Sequence, residues 1–137
     1  MAEKLVVRKT IAASPEEVFA HWVDADSMTR WMCPGDVTHA RTRLDVRVGG
    51  RFEIVMAGPR GEVVHTGTYR LIDPPRKLVF TWISVNTDEK ETLVTVELFA
   101  RSPGTEVVLT HEDLPDRTFE AHRNGWGSIL GRLAAAV

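Results

Sequence analysis

Asp116–Val137 reads DRTFEAHRNGWGSILGRLAAAV. Phe119, His122, Trp126, Ile129, Leu130, Leu133 and Val137 fall at i, i+3, i+7, i+10, i+11, i+14 and i+18, one stripe of a helix. Arg117, Glu120, Arg123, Asn124 and Arg132 fall largely elsewhere. A helix over the whole stretch is about 33 Å long. Upstream of it the chain reads mostly as short strands, and a single long amphipathic helix buries its stripe only against a sheet. Gly125, Gly127 and Gly131 interrupt the pattern, each at a cost of about 1 kcal/mol relative to Ala. Close packing on the sheet, or a notch facing a ligand, would explain them. His122 places a titratable group on the apolar stripe.

Working outward, Leu5–Ile11 alternates as a first strand. Ser14-Pro15-Glu16-Glu17 then starts a helix, with Ser14 as N-cap and Pro15 in the first turn. Val18, Phe19 and Trp22 form its buried face. A second short helix is expected over Ser27–Met32, ended by Pro34-Gly35. From Asp36 the period changes to two. Asp36–Asp45 reads as a polar strand, followed by a Gly49-Gly50 hairpin turn. Phe52, Ile54 and Met56 share one face of the next strand. Val63, His65, Gly67, Tyr69 and Leu71 share one face of the strand after it. Leu78, Phe80 and Trp82, then Val94, Val96 and Leu98, then Val107, Leu109 and His111 continue the inner surface. The fold class is therefore α+β. A curved antiparallel sheet of about seven strands wraps round the long C-terminal helix, with two short helices after the first strand. No repeat, low-complexity tract or linker divides the 137 residues, so 1–137 reads as a single domain.

Composition excludes several classes. Net charge is −2 and basic residues do not cluster, which argues against nucleic acid. The N-terminus has charges on both sides of a very short apolar run, unlike a signal peptide. No apolar run approaches the ~20 residues of a membrane span. The single cysteine, Cys33, can form no internal disulfide and reads as a small buried residue. A cytoplasmic location follows as the expectation. The five histidines are His21, His39, His65, His111 and His122. They form no metal-binding pair at helical spacing, so no metal is expected. No phosphate-cradling glycine loop and no nucleophile elbow is present, so no cofactor is expected.

The inner-face residues suggest a ligand cavity between sheet and helix. Its apolar lining would be Phe52, Ile54, Met56, Leu78, Phe80, Trp82, Val96, Leu98, Leu109 and Trp126. Its polar groups would be His65, Tyr69, His111 and His122, with Tyr69, His111 and His122 orienting a polar head. Trp31, Met32 and the loop to Gly35 are expected to form a mobile lid at one mouth. Histidines in such a space could serve as acid and base, but no carboxylate has inward parity to orient them; Glu53 and Glu97 read as outward.

Taken together, the chain resembles the SRPBCC or START-like superfamily, with its helix-grip fold. Within it the chain is similar to the branch named for the activator of the ninety-kilodalton heat-shock chaperone's ATPase. The resemblance rests on Ser14-Pro15-Glu16-Glu17-Val18-Phe19 with Trp22 and Trp31, and on Asp45-Val46-Arg47-Val48-Gly49-Gly50-Arg51-Phe52. It continues through Gly67-x-Tyr69, Pro74-Pro75-x-Lys77-Leu78-Val79-Phe80-Thr81-Trp82, Leu109-Thr110-His111 and His122-x-x-Gly125-Trp126. It implies one of three roles: binding a small hydrophobic or aromatic molecule, modulating the chaperone ATPase, or cyclase- or dehydratase-type catalysis. Relatives that act on the chaperone carry a further N-terminal domain. A first strand from about residue 4 leaves no room for one, so binding without turnover ranks first. An exposed sheet edge would permit a homodimer.

Overall fold

The computed structural model describes residues 3–137, so Met1 and Ala2 of the expected 1–137 domain lie outside the described residues. The order is β1 (Leu5–Ile11), α1 (Pro15–Trp22), α2 (Ala25–Trp31), β2 (His39–Leu44), β3 (Arg51–Gly58), β4 (Gly61–Asp73), β5 (Lys77–Trp82), β6 (Thr92–Arg101), β7 (Gly104–Glu112) and α3 (Phe119–Ala136). Short 3-10 turns lie at Val85–Thr87 and Asp116–Thr118. The seven strands form one curled sheet in the order β1-β7-β6-β5-β4-β3-β2. Every neighbouring pair is antiparallel.

Local chemistry explains where the elements begin and end. Ser14 Oγ accepts from Glu17 N at 3.2 Å and caps α1. Asp24 Oδ1 accepts from Asp26 N at 3.0 Å and Ser27 N at 3.4 Å, so α2 starts at Ala25, two residues before the expected Ser27. The expected strand from Asp36 shortens to His39–Leu44 because Val37 N turns back to Pro34 O at 3.0 Å. The long helix also starts late: Asp116–Thr118 is a tighter 3-10 turn, and α3 proper opens at Phe119.

Alternation predicts the inner face of every strand after β2 except at one place. A bulge between Tyr69 and Leu71 shifts the β4–β5 register. Leu71 pairs with Val79 and is 41% exposed, so the expectation that it faces inward is wrong. Ile72 takes its place opposite buried Leu78. The same ladder opens at Gly67. A Cβ there would lie 2.0 Å from Thr81 O and 2.4 Å from the Phe52 ring, so only glycine lets strand and ring approach. Thr81 Oγ1 accepts from Thr68 N at 2.8 Å across that gap.

One core occupies the concave side of the sheet. Trp126, Ile129, Leu130 and Leu133 of α3 are buried in it; Phe119 and His122 are half-buried. Trp22 and Trp31 meet edge to face at 4.8 Å, which locks α1 to α2. Phe52, Phe80 and Trp82 form a second aromatic cluster, with centroids 5.5 Å to 6.1 Å apart. Among the described residues, no helix is long and apolar enough to cross a membrane.

Candidate functional site

The two halves of the concave surface differ. Under α1 and α2, Trp22, Met28 and Met32 press on Phe52, Ile54, Tyr69, Leu78 and Phe80 and leave about 10 Å³. That is about the space of one water molecule. Under the start of α3 the surface is open, and a cavity of about 380 Å³ remains. Met56, His65, Trp82, His122 and Trp126 line it, all expected from sequence. Pro34, Val37, Val63, Asn86, Arg117, Thr118, Ala121, Gly125 and Ile129 complete it. Exposure marks the mouth: Asn86, Arg117 and Ala121 are exposed, whereas Met56, His65, Trp82 and Trp126 are buried.

Several expected ligand contacts therefore belong to the core. Phe52, Ile54, Tyr69, Leu78 and Phe80 face the filled half; Val96, Leu98 and Leu109 are buried in the core and reach neither space. The cause is α1 and α2, whose side chains occupy half of the concave face. Tyr69 cannot join the cavity histidines; burial, with Asp45 nearby, pushes its phenol up to about 12. Trp31 and Met32 do not form a mouth, since they are 0% and 1% exposed. The loop after them is not a free lid either. Arg132 of α3 donates to the carbonyls of Cys33, Val37 and Gly35, and Ser128 Oγ accepts from Gly35 N at 3.0 Å. This clamp sets Pro34 and Val37 into the cavity wall. Sequence periodicity placed Arg132 off the apolar stripe but could not show the carbonyls it would meet.

His111 sits behind the cavity and is fully enclosed. Trp126 Nε1 donates to His111 Nδ1 at 3.0 Å, which fixes the tautomer. His111 Nε2 then donates to Thr92 Oγ1 at 2.7 Å, and Thr92 donates to Trp82 O at 2.5 Å. Every polar atom in this relay is satisfied, so His111 is a structural residue and does not orient a ligand head. Burial and repulsion from His122 lower its pKa to about 3.

His65 and His122 remain available. His65 Nδ1 donates to Ile54 O at 3.3 Å, and its ring lies on Trp82 at 4.8 Å. His122 Nδ1 donates to Thr118 O at 2.9 Å, at the N-cap of α3. Burial lowers both pKa values, that of His65 to about 4. Both rings are therefore neutral at pH 7. Among the described residues, no carboxylate lines the cavity; Asp88 pairs with Arg117 at its mouth. His65, lowered this far, is a poor proton acceptor for catalysis at neutral pH. Among the described residues, no three of His, Cys, Asp or Glu converge as a metal site requires.

The α3 glycines divide unexpectedly. A Cβ on Gly127 or Gly131 would meet nothing within 4 Å, so neither serves close packing on the sheet. Gly125 lines the cavity, where a Cβ would lie 3.7 Å from Pro34 Cβ. Of the three, Gly125 alone lines the cavity.

Comparison with known proteins agrees with this architecture. A family model described as Activator of Hsp90 ATPase homolog 1-like protein matches residues 12–137. No curated protein matches the sequence. A Chromobacterium violaceum protein of known structure superposes with a TM-score of 0.87 at 22% identity, over 100% of this chain and 98% of that one. The AHSA1 protein from Silicibacter pomeroyi gives 0.81 at 26% identity, over 97% and 96% of the two chains. An AHSA1-like protein from Aeromonas hydrophila gives 0.78 at 27%, over 98% and 92%.

Proposed function

The chain belongs to the family of Activator of Hsp90 ATPase homolog 1-like proteins, and on that premise we propose that it binds a small apolar or aromatic molecule without turnover. One observation carries the reading: a cavity of about 380 Å³ walled by Trp82, Trp126, Met56 and Ile129. That volume lies within the roughly 300–1,000 Å³ of small-molecule sites, and a few polar groups in an apolar lining are their usual composition. Trp82 and Trp126 stand 5.1 Å apart and tilted, a surface for a flat ligand body. Catalysis has less support, because among the described residues no carboxylate lines the cavity to orient either histidine. A chaperone partner rests on the family's name, and a homodimer on the free edges of β1 and β2. A cytoplasmic location is part of the same reading, supported by the single buried thiol of Cys33.

The test is native mass spectrometry of the freshly purified protein, followed by thermal melts with fatty acids, aromatic acids and phenols. A ligand at a hundredfold excess over its Kd adds about 2.7 kcal/mol to the native state, a shift of several degrees. A wild-type protein that carries no small molecule and whose Tm no compound moves would sink the reading.

A further inference from the structure

We propose that the cavity selects ligands whose polar head is a hydrogen-bond donor, such as a phenol or alcohol, over carboxylates of the same body. The proposal rests on the binding reading above and adds the chemical class of the ligand. Its basis is the direction in which the two cavity histidines are already bonded.

A neutral imidazole has one N–H and one bare nitrogen. His65 and His122 each spend the N–H on a backbone carbonyl, through Nδ1 to Ile54 O and through Nδ1 to Thr118 O. Nε2 is then the bare nitrogen on both rings and can only accept. Among the described residues, neither Nε2 has a hydrogen-bond partner. Among the described residues, Trp22 Nε1 is the only sealed side-chain polar atom that lacks one, so neither histidine Nε2 is enclosed by protein. Both rings line the cavity, which is the space these nitrogens can open on. The two come from different walls, His65 from β4 and His122 from α3.

A donor-headed ligand would meet these acceptors directly. A carboxylate would bring two more acceptors to a site already presenting two bare nitrogens, and would lose its hydration for at most the single indole N–H of Trp82. Protonating a histidine to meet it is opposed by burial of both rings and, for His65, also by His122. The one cationic lining residue among those described, Arg117, lies at the exposed mouth and is already paired with Asp88. Trp82 Nε1 is one donor on the same wall, neither sealed nor hydrogen-bonded among the described residues, so free acceptors outnumber it two to one. Thr118 Oγ1 donates to Pro115 O at 3.0 Å, and Asn86 is exposed at the rim.

Three compounds with one aromatic body separate the possibilities: naphthol, methoxynaphthalene and naphthoate. Affinities are measured at neutral pH by calorimetry and by quenching of tryptophan fluorescence. Naphthol should bind about tenfold more tightly than the methyl ether, the factor expected for one hydrogen bond, and naphthoate should bind most weakly. His122→Leu should shrink the gap between naphthol and its ether. His65→Phe supplies the same comparison from the other wall if His122→Leu does not fold. Naphthoate binding as tightly as naphthol would overturn the proposal while leaving the binding function intact. So would a naphthol-to-ether ratio near one in the wild type, or one that neither substitution alters. If none of the three binds and the broader panel also fails, the cavity is not a ligand site and both conclusions fall.

Discussion

At the residue scale, the relay Trp126–His111–Thr92–Trp82 ties α3 to β5, β6 and β7 through side chains that are almost wholly buried. Truncating Trp126 to Ala should cost about 3–5 kcal/mol, as other buried aromatics do. Trp126→Phe keeps most of the apolar area but strips the donor from His111 Nδ1, so about 1–3 kcal/mol should still be lost. Adding His111→Leu to Trp126→Phe should recover part of that loss, because Thr92 keeps its bond to Trp82 O. Urea titration of the single and double variants measures the coupling; strictly additive losses would mean that the bond contributes nothing. The same histidines set the response to acid. In the native state His65 titrates at about 4 and His111 at about 3, against about 6.5 unfolded. The unfolded chain therefore binds more protons between those values, and stability rises with pH there. It should be fully present above pH 6.5 and fall progressively from about pH 6.5 toward pH 4 and below. A wild-type stability that stays flat from pH 7 to pH 4 contradicts this, and His111→Leu should flatten the lower part of the fall.

At the scale of elements, the strands and helices were legible because each wrote its own period. Ser14 announced α1, and alternation gave the inner faces of β3, β5, β6 and β7. Alternation failed at Leu71 because a bulge inserts one residue and reverses the faces beyond it. No local pattern marks that insertion. It failed again at Asp36–Val37, where Val37 N turns back to Pro34 O and Arg132 of α3 holds Val37 O. Long-range side-chain to backbone bonds of this kind leave no spacing in the sequence. The glycines of α3 make the same point. Gly127 and Gly131 look like packing glycines in sequence, yet a Cβ on either meets open space. Ala at each position should stabilise the protein by about 0.5–1 kcal/mol through helix propensity alone. The change should leave ligand affinity alone, because neither residue lines the cavity. Chemical denaturation of Gly127→Ala and Gly131→Ala decides the point; a loss of stability would mean that α3 packs more closely than the distances indicate.

For the molecule as a whole, strand alternation identified which residues turn inward but not how the interior is shared. Inward parity treated Tyr69, Phe80, His65 and Trp82 alike. The fold separates them, because α1 and α2 fill one half of the curled sheet and leave the other half to α3 and the loop at Pro34. Whether an inward residue meets a side chain or an empty space depends on which helix lies above it, and strand periodicity carries no information about that. The open half also forgoes packing, since its walls lack the contacts that a filled core provides. Gly125 is where this can be tested. It costs helix propensity, its Cβ position is free of any clash closer than 3.7 Å, and it faces the cavity. Gly125→Leu should therefore restore about 1 kcal/mol of helix propensity and bury new apolar surface in the space between Pro34 and Trp126. The variant is expected to melt higher than wild type and to lose binding of any compound that the wild type holds, a trade of function for stability. Gly125→Ala, with a single methyl, should show the stability gain and retain most of the affinity. Thermal melts and calorimetry on the two variants read both quantities. If Gly125→Leu melts lower than wild type, the notch is needed for folding; if it binds as wild type does, the ligand lies elsewhere. Only a gain in stability coupled to a loss of affinity identifies Gly125 as the residue that keeps this half of the core open.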